Sequence, residues 1–413
     1  MRNFVRILIC FFALSFAACN KSDDPQNNNE YTPIELDLKS ASLVESSNTF
    51  GANIFKEVLQ DVEEGENALI SPLSIFQALS MTRNGAKGET LTQMNNILAF
   101  DESLGDEINQ YQKKLVDVLR NADNKLTLDI ANSIWYRDDV TVLPDFIKVN
   151  QEYFKAEVSA LDFSDAEGAK KTINNWVDDT TNGKIPQIVD QVTPEHVMFL
   201  INAIYLYGEW QNEFDKRDTK EASFYTETGA ETKVDMMHQQ ADLGYAQNDL
   251  FSMVEMPYGN GHFNMVVLKP NTGKTVADIV EATNDNSWSL WMNSLTARTV
   301  VLGFPKFKIE GDYQLNKPLI NMGMSLAFDQ FEADFSGILE GGGIYISKVK
   351  HKTFIEVDEK GTEAAAVTSV EIAFTSVGPN QPIHFSADRP FIFAITEKDT
   401  NTILFMGRCM QPE

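Results

Sequence analysis

The chain has 413 residues, of which 43% are hydrophobic, enough to bury a large core. Asp and Glu outnumber Lys and Arg by 60 to 34, which gives a net charge of −26. This balance argues against nucleic acid as a partner, because binding to phosphate requires patches of Lys and Arg. The charge implies solubility and a preference for basic partners, with a merely solvated acidic surface as the alternative.

The first residues have the pattern of a targeting segment. Arg2 and Arg6 form a basic start, and the apolar run from residue 7 to 18 is too short to span a bilayer. The stretch Phe16-Ala17-Ala18-Cys19 resembles a bacterial lipobox, in which the cysteine is acylated and becomes the new N-terminus. We expect residues 1–18 to be a signal peptide, with a plain secretory signal as the alternative.

A polar segment follows Cys19, and we interpret residues 19–44 as a flexible tether. The acidic pair Asp23-Asp24 is similar to surface-export signals of some bacterial lipoproteins. The expected location is therefore the bacterial cell envelope, lipid-anchored at the outer membrane and facing outward. Cys10 leaves with the signal, so Cys409 alone remains unmodified, and no disulfide is expected within the domain.

Helical patterns dominate the first half of the chain. Residues 48–60 place Phe50, Ile54 and Val58 on one face, which predicts an amphipathic helix. Ser71 followed by Pro72 is a typical N-cap and first turn, and this second helix is expected to end near residue 85. A third short helix is predicted around residues 91–98.

Strand patterns dominate the second half. The apolar run 197–207 predicts a central strand buried on both faces. Further strands are predicted at 263–268, 299–304 and 353–357, and a hairpin at 391–396 and 403–408. Helices first and strands later are typical of an α+β fold.

No catalytic or metal-binding motif accompanies these elements. Gly273-Lys274-Thr275 lacks the earlier glycine of a phosphate-binding loop, since position 268 is leucine. The five histidines show no metal-ligand spacing, and no nucleophile is accompanied by a base in a known motif. We therefore expect a protein that is not an enzyme and needs no cofactor or metal.

The segment that follows Gly361 combines two conflicting patterns. Small residues come first, and the alternation of Thr368, Val370 and Ile372 with polar residues predicts a half-buried strand. Gly378 and Pro379 then mark an exposed loop. The segment has the context of a loop and the pattern of a strand, so we interpret it as a loop that can become a strand.

Residues 359–366 resemble the hinge of the reactive-centre loop of serpins, and further serpin-like motifs occur in family order. They are found at 67–90, 173–188, 200–210, 305–307, 333–337, 347–351, 388–391 and 404–408. The resemblance implies one α+β domain over residues 45–413. That domain would have a large, mostly antiparallel central sheet, additional sheets, eight or nine helices and an exposed reactive loop.

The resemblance also implies an activity, the suicide-substrate inhibition of serine endopeptidases. A protease would cleave the loop, and the loop would then insert into the central sheet and trap the acyl-enzyme in a covalent 1:1 complex with the monomeric inhibitor. The alternative is a non-inhibitory serpin that acts as a binding protein.

Family spacing places the scissile bond between Thr375 and Ser376, with Phe374 as the alternative primary residue. No Lys or Arg lies between Lys360 and Arg389, so we expect elastase-, subtilisin- or chymotrypsin-like targets rather than trypsin-like ones. Papain-like cysteine proteases are further candidates. The implied hinge residues are Glu359, Lys360, Gly361, Thr362, Glu363, Ala364, Ala365 and Ala366.

The resemblance also assigns a gate where the sheet opens. Lys306 is aligned with Glu359 as a salt bridge, Trp210 lies under the opening point, and Asn202 is paired with His351. The complete implied set is Lys306, Glu359, Trp210, Ser71, Ser74, Asn202 and His351.

Overall fold

A computed structural model describes residues 31, 33–100, 102–362 and 381–412 of the chain. The described residues belong to one compact unit that begins at Tyr31. None of its helices is long and apolar enough to cross a membrane.

Nine α-helices lie in the described ranges, and six of them precede the main run of strands. They are α1 Leu38–Leu59, α2 Pro72–Arg83, α3 Gly88–Ile97, α4 Ile108–Asn121, α5 Pro144–Phe154, α6 Ala166–Thr180, α7 Val276–Ala282, α8 Asp285–Asn293 and α9 Asn316–Asn321.

Fifteen strands in the same ranges form two sheets. They are β1 Ala68–Ile70, β2 Leu126–Arg137, β3 Glu157–Leu161, β4 Met198–Glu209, β5 Lys220–Tyr225, β6 Glu231–Gln247, β7 Phe251–Pro257, β8 Phe263–Pro270, β9 Thr296–Pro305, β10 Phe307–Gln314, β11 Lys350–Val357, β12 Gly361–Thr362, β13 Ile383–Ser386, β14 Phe391–Glu397 and β15 Ile403–Cys409.

The smaller sheet has six strands in the order β10-β11-β12-β4-β2-β3. The larger has nine, in the order β1-β15-β14-β8-β7-β6-β9-β13, with β5 paired to β6. The expected α+β architecture and the predicted C-terminal hairpin, β14–β15, are both confirmed.

The first helix corrects the predicted boundary of the tether. Helix α1 begins at Leu38 rather than at residue 48, because Asp37 caps it by accepting from the Ser40 amide at 2.8 Å. Leu43 and Val44 are buried in the core. Residues 38–44 therefore belong to the folded domain, although their polar neighbours in sequence suggested a linker.

Strand β4 differs from the strand expected to be buried on both faces. Ile204 and Leu206 are buried against the main core, whereas Tyr205 and Tyr207 on the other face are half-buried. Helix α6 covers that second face only near Ile201, where a separate apolar cluster forms. An apolar sequence alone did not reveal how far this helix extends along the strand.

We predict that shortening the N-terminus to residue 45 destabilises the domain, although a flexible tether would be dispensable. Losing the buried side chains of Leu43 and Val44 removes roughly 1.5–3 kcal/mol each. The melting temperature should then fall by roughly 5–10 °C relative to a chain that begins at Tyr31. Circular dichroism on both chains measures this difference, and equal melting temperatures would show that α1 does not need its first turns.

Candidate functional site

The two-residue strand β12 lies between β11 and β4 in the six-stranded sheet. Thr362 pairs antiparallel with Val357 of β11 on one side and with Gly208 of β4 on the other. Gly361 pairs with Glu209. The start of the segment that sequence analysis interpreted as a potential strand is therefore already part of the sheet.

A tight connection brings the chain from β11 into β12. The Asp358 amide donates to the Gly361 carbonyl at 3.0 Å, and the Asp358 carboxylate accepts from the Lys360 amide at 2.8 Å. Aspartate at the first position and glycine at the fourth are preferred in four-residue turns. The turn is also fixed from outside, because the Lys360 carbonyl accepts from the Trp210 amide at 2.6 Å.

Position 361 must be glycine because the backbone there lies very close to β4. A Cβ atom at this position would lie 2.0 Å from the Gly208 carbonyl oxygen and 2.7 Å from Cα of Glu209. Both neighbours are backbone atoms that cannot move aside. Only glycine therefore lets the hinge pair with β4.

Glu359, next to this glycine, is buried and held by two side chains. Thr219 donates to one carboxylate oxygen at 2.8 Å, and Lys306 Nζ lies 3.2 Å from the other. Although burial opposes ionisation, hydrogen bonds from its own amide, Thr219 and Lys306 hold the pKa of Glu359 below its usual value. The ionised carboxylate thus anchors the hinge to the residue before β5 and to the link between β9 and β10.

An aromatic stack lies beneath the hinge. Trp210 is buried and stacks on Tyr258 at a centroid distance of 4.3 Å, and its Nε1 donates to the Asp358 carbonyl at 2.9 Å. The hydroxyl groups of Tyr258 and Thr362 are hydrogen-bonded at 2.6 Å. Burial raises the pKa of Tyr258, so its hydroxyl stays protonated and neutral next to the hinge.

Beyond β12, the two flanking strands run parallel to each other, because each is antiparallel to β12. No ladder joins β4 directly to β11 among the residues that the structure describes. A narrow cleft lies between them, lined by Ile204–Leu206 on one side and Phe354–Glu356 on the other. We call this region the insertion slot.

The expected pairing of Asn202 with His351 is wrong for this structure. Asn202 accepts from the Ser74 hydroxyl and donates to Asn132 Oδ1 at 2.7 Å, while His351 Nε2 accepts from the Ser71 amide at 3.0 Å. Both residues lie six positions along from the pairs that Thr362 makes. Each therefore has its own partners, and no hydrogen bond joins the two side chains among the described residues.

The start of α2 connects the two sides of the slot instead. Ser71 reaches His351 on β11, and Ser74 reaches Asn202 on β4. The Ser71 hydroxyl also donates to the Leu404 carbonyl at 2.7 Å, which links the slot to the larger sheet. Burial lowers the pKa of His351 to about 3, so the imidazole is neutral and can accept this hydrogen bond.

Some predicted residues lie outside the described part of the chain. These are Cys19, Glu363, Ala364, Ala365, Ala366, Phe374, Thr375 and Ser376. The other hinge and gate residues form two groups. One lies at the end of the slot where β12 pairs and contains residues 359–362, Lys306 and Trp210. The other, which we call the floor of the slot, contains Ser71, Ser74, Asn202 and His351.

Sequence reasoning missed Tyr258, Thr219 and Asp358. The turn preference of Asp358 and Gly361 could have revealed the connection between β11 and β12. No local signal pointed to Tyr258 or Thr219, because each contacts the hinge from more than 100 residues away in sequence.

Comparison with known proteins identifies the family. The serpin family model, described as serine protease inhibitor, matches residues 45–412. Human Serpin B8 is 37% identical over 377 residues, covering 90% of this chain and 99% of Serpin B8. The chain belongs to the serpin family, whose members are in general protease inhibitors rather than catalytic enzymes.

Solved structures agree with this assignment. The thermophilic serpin tengpin in its native state matches with a TM-score of 0.82 and 34% identity, covering 92% of this chain and 96% of tengpin. Human thyroxine-binding globulin, solved in complex with thyroxine, matches with a TM-score of 0.82 and 28% identity, covering 91% of this chain and 99% of that one. The same fold therefore also occurs in a thyroxine-binding protein.

We predict that Gly361→Ala expels the hinge from the sheet, because the added Cβ collides with the Gly208 carbonyl. Hydrogen exchange of the Thr362 amide should accelerate, and the fluorescence of Trp210 should change. Gly65→Ala is the matched control, since nothing lies within 4 Å of a Cβ atom there. An unchanged exchange rate at Thr362 would contradict the proposed need for glycine.

We predict that His351 makes the domain less stable in acid. Its folded pKa of about 3 lies below the value of about 6.5 for an unfolded chain, so the unfolded state binds more protons between these values. Lowering the pH from 7 to 5 should cost about 2 kcal/mol of unfolding free energy. His351→Gln should remove this part of the pH dependence and His238→Gln should not, as denaturant titrations at both pH values can measure.

Proposed function

We propose that the protein inhibits serine endopeptidases by trapping them as acyl-enzymes. The observation that carries this proposal is the position of β12, which pairs in register with both walls of the insertion slot. Serpin loop insertion is a standard example of strand addition and of the release of stored strain. The protease serine would attack the loop, form an ester, and release the segment after the cleaved bond.

The register supports the choice of hinge residues. Extending the pairing of Thr362 along the slot would bring position 364 between Leu206 and Ile355, and position 366 between Ile204 and Thr353. These four wall residues are buried on the core face. A strand that enters between large side chains needs small ones on that face, and alanine occupies both positions.

Insertion of the remaining residues would be strongly favourable. Each new ladder hydrogen bond adds about 0.5–1.5 kcal/mol, and each large apolar side chain that becomes buried adds roughly 1.5–3 kcal/mol. Over about ten residues the sum is on the order of 10–20 kcal/mol. The intact loop restrains insertion because strand β13, which follows it, is paired with β9. Cleavage would remove this restraint.

The loop sequence favours some targets over others. Thr375 as the primary residue suits elastase- or subtilisin-like proteases, and Phe374 would suit chymotrypsin-like ones. Phe374 at the preceding subsite also makes papain-like cysteine proteases candidates. The absence of Lys and Arg from this part of the sequence disfavours trypsin-like targets.

We also propose that the inhibitor is a monomer anchored to the bacterial envelope through a lipid on Cys19. The support comes from the sequence alone: the basic start, the short apolar run and the lipobox-like residues. Labelling with a palmitate analogue, compared between the natural chain and Cys19→Ala, tests this assignment.

We predict that the full chain forms a complex that survives denaturation with elastase, subtilisin or chymotrypsin, and that Thr362→Arg does not. Thr362 is buried, so arginine there would place a charge inside the sheet and block insertion. The variant should then be cleaved as an ordinary substrate. Denaturing gels and mass spectrometry of the released segment measure both results and locate the cleaved bond.

Lys360→Arg is the matched control, since it also carries arginine in the hinge but lies in the turn outside the slot. It should still trap the protease. If Thr362→Arg trapped protease at the normal stoichiometry, the insertion mechanism would be wrong. Cleavage of the natural chain without any complex would favour the alternative, a non-inhibitory binding protein.

A further inference from the structure

Three potential metal ligands meet in the larger sheet, where β8 begins and β14 ends. His262 directly precedes β8, Glu397 ends β14, and Asp399 lies in the turn after it. Strands β8 and β14 pair antiparallel, with Glu397 opposite Phe263, and the Lys398 amide donates to the His262 carbonyl at 2.8 Å. One ligand atom from each of the three side chains lies within 4.8 Å of the other two.

His262 has an unusual environment within this cluster. It is only 4% exposed, and its Nδ1 has no hydrogen-bond partner among the described residues. Buried polar atoms are nearly always hydrogen-bonded, so such an atom requires an explanation. A ring nitrogen placed close to two carboxylates is well suited to coordinating a cation.

The two carboxylates are already oriented by hydrogen bonds. Glu397 accepts from the Thr400 amide at 2.8 Å and from the Asp399 amide at 3.0 Å. Asp399 accepts from the Tyr31 hydroxyl and from the Ile34 amide, the latter at 2.7 Å. Such outer hydrogen bonds typically hold metal ligands in place.

The charge of the cluster also favours a cation. Glu397 is fully buried and lies beside a second carboxylate, that of Asp399. Lys398 Nζ does not neutralise it by an ion pair but lies 5.3 Å from the centre of the Tyr31 ring. A bound divalent cation would offset the negative charge of both carboxylates.

We propose that His262, Glu397 and Asp399 form a binding site for a divalent transition-metal ion, with zinc as the preferred ion. Imidazole nitrogen and carboxylate oxygen are usual zinc ligands, and water would complete the coordination. Ligand atoms around tetrahedral zinc are roughly 3.3 Å apart, so these groups need to approach by about 1.5 Å at most.

The site has a structural consequence for the N-terminal segment. Tyr31 stacks on the His262 ring at 4.4 Å, and its hydroxyl and the Ile34 amide both bind Asp399. A metal that fixes His262 and Asp399 therefore also fixes the residues leading into α1. Zinc would fasten the start of the domain to the β14–β15 turn.

The test uses the full chain without an affinity tag, stripped with EDTA and separated by gel filtration. Titration calorimetry with zinc chloride should give one site per chain. His262→Ala should weaken binding at least 100-fold, and Tyr31→Phe about 10-fold through the lost outer hydrogen bond. Magnesium chloride should not compete, because magnesium prefers sites made only of oxygen.

His238→Ala is the matched control, since His238 is exposed and lies on a different strand. Equal zinc affinity in His262→Ala and in the natural chain would overturn the proposal. Glu397→Gln retains the shape of its side chain and serves if His262→Ala fails to fold. X-ray absorption of the zinc-loaded natural chain should show one imidazole ligand, and a spectrum without imidazole would also overturn it.

A second readout reports on the N-terminal segment. Zinc should slow hydrogen exchange at the Ile34 amide in the natural chain and leave it unchanged in Glu397→Gln. Unchanged exchange in the zinc-loaded natural chain would contradict the fastening role. Protease trapping is measured separately, so failure of either proposal leaves the other intact.

Discussion

The arrangement of β4, β12 and β11 is the constraint on which the rest of the structure depends. Two strands of the same sheet run parallel and are joined through only two residues of a third strand. Antiparallel pairing is somewhat more stable than parallel pairing, and a strand entering this slot would be antiparallel to both walls. The insertion of the chain after Thr362 that we propose depends on this arrangement.

The hinge is held at this position by contacts from several elements. Gly361 permits the close approach to β4, and Glu359 is held by Lys306 in the link between β9 and β10. Tyr258 binds the Thr362 hydroxyl from below. These contacts come from separate parts of the chain and together hold β12 in place.

The floor of the slot contains polar side chains in an otherwise apolar region. Asn202 and His351 are each satisfied by the first turn of α2, on opposite sides of the slot. Buried polar groups without partners are costly, so these hydrogen bonds fix the distance between the walls. The first turn of α2 thus acts as a spacer between β4 and β11.

The sequence by itself determined the elements with strong local signals. The Ser71 cap, the apolar pattern of β4, the C-terminal hairpin and the small residues after Gly361 were all readable, because each depends on neighbours along the chain. The tertiary structure alone decided where α1 begins, how far α6 covers β4, and that Asn202 and His351 lie apart. It also decided that His262 meets Glu397 and Asp399. These features depend on contacts between residues distant in sequence, and no local pattern encodes such contacts.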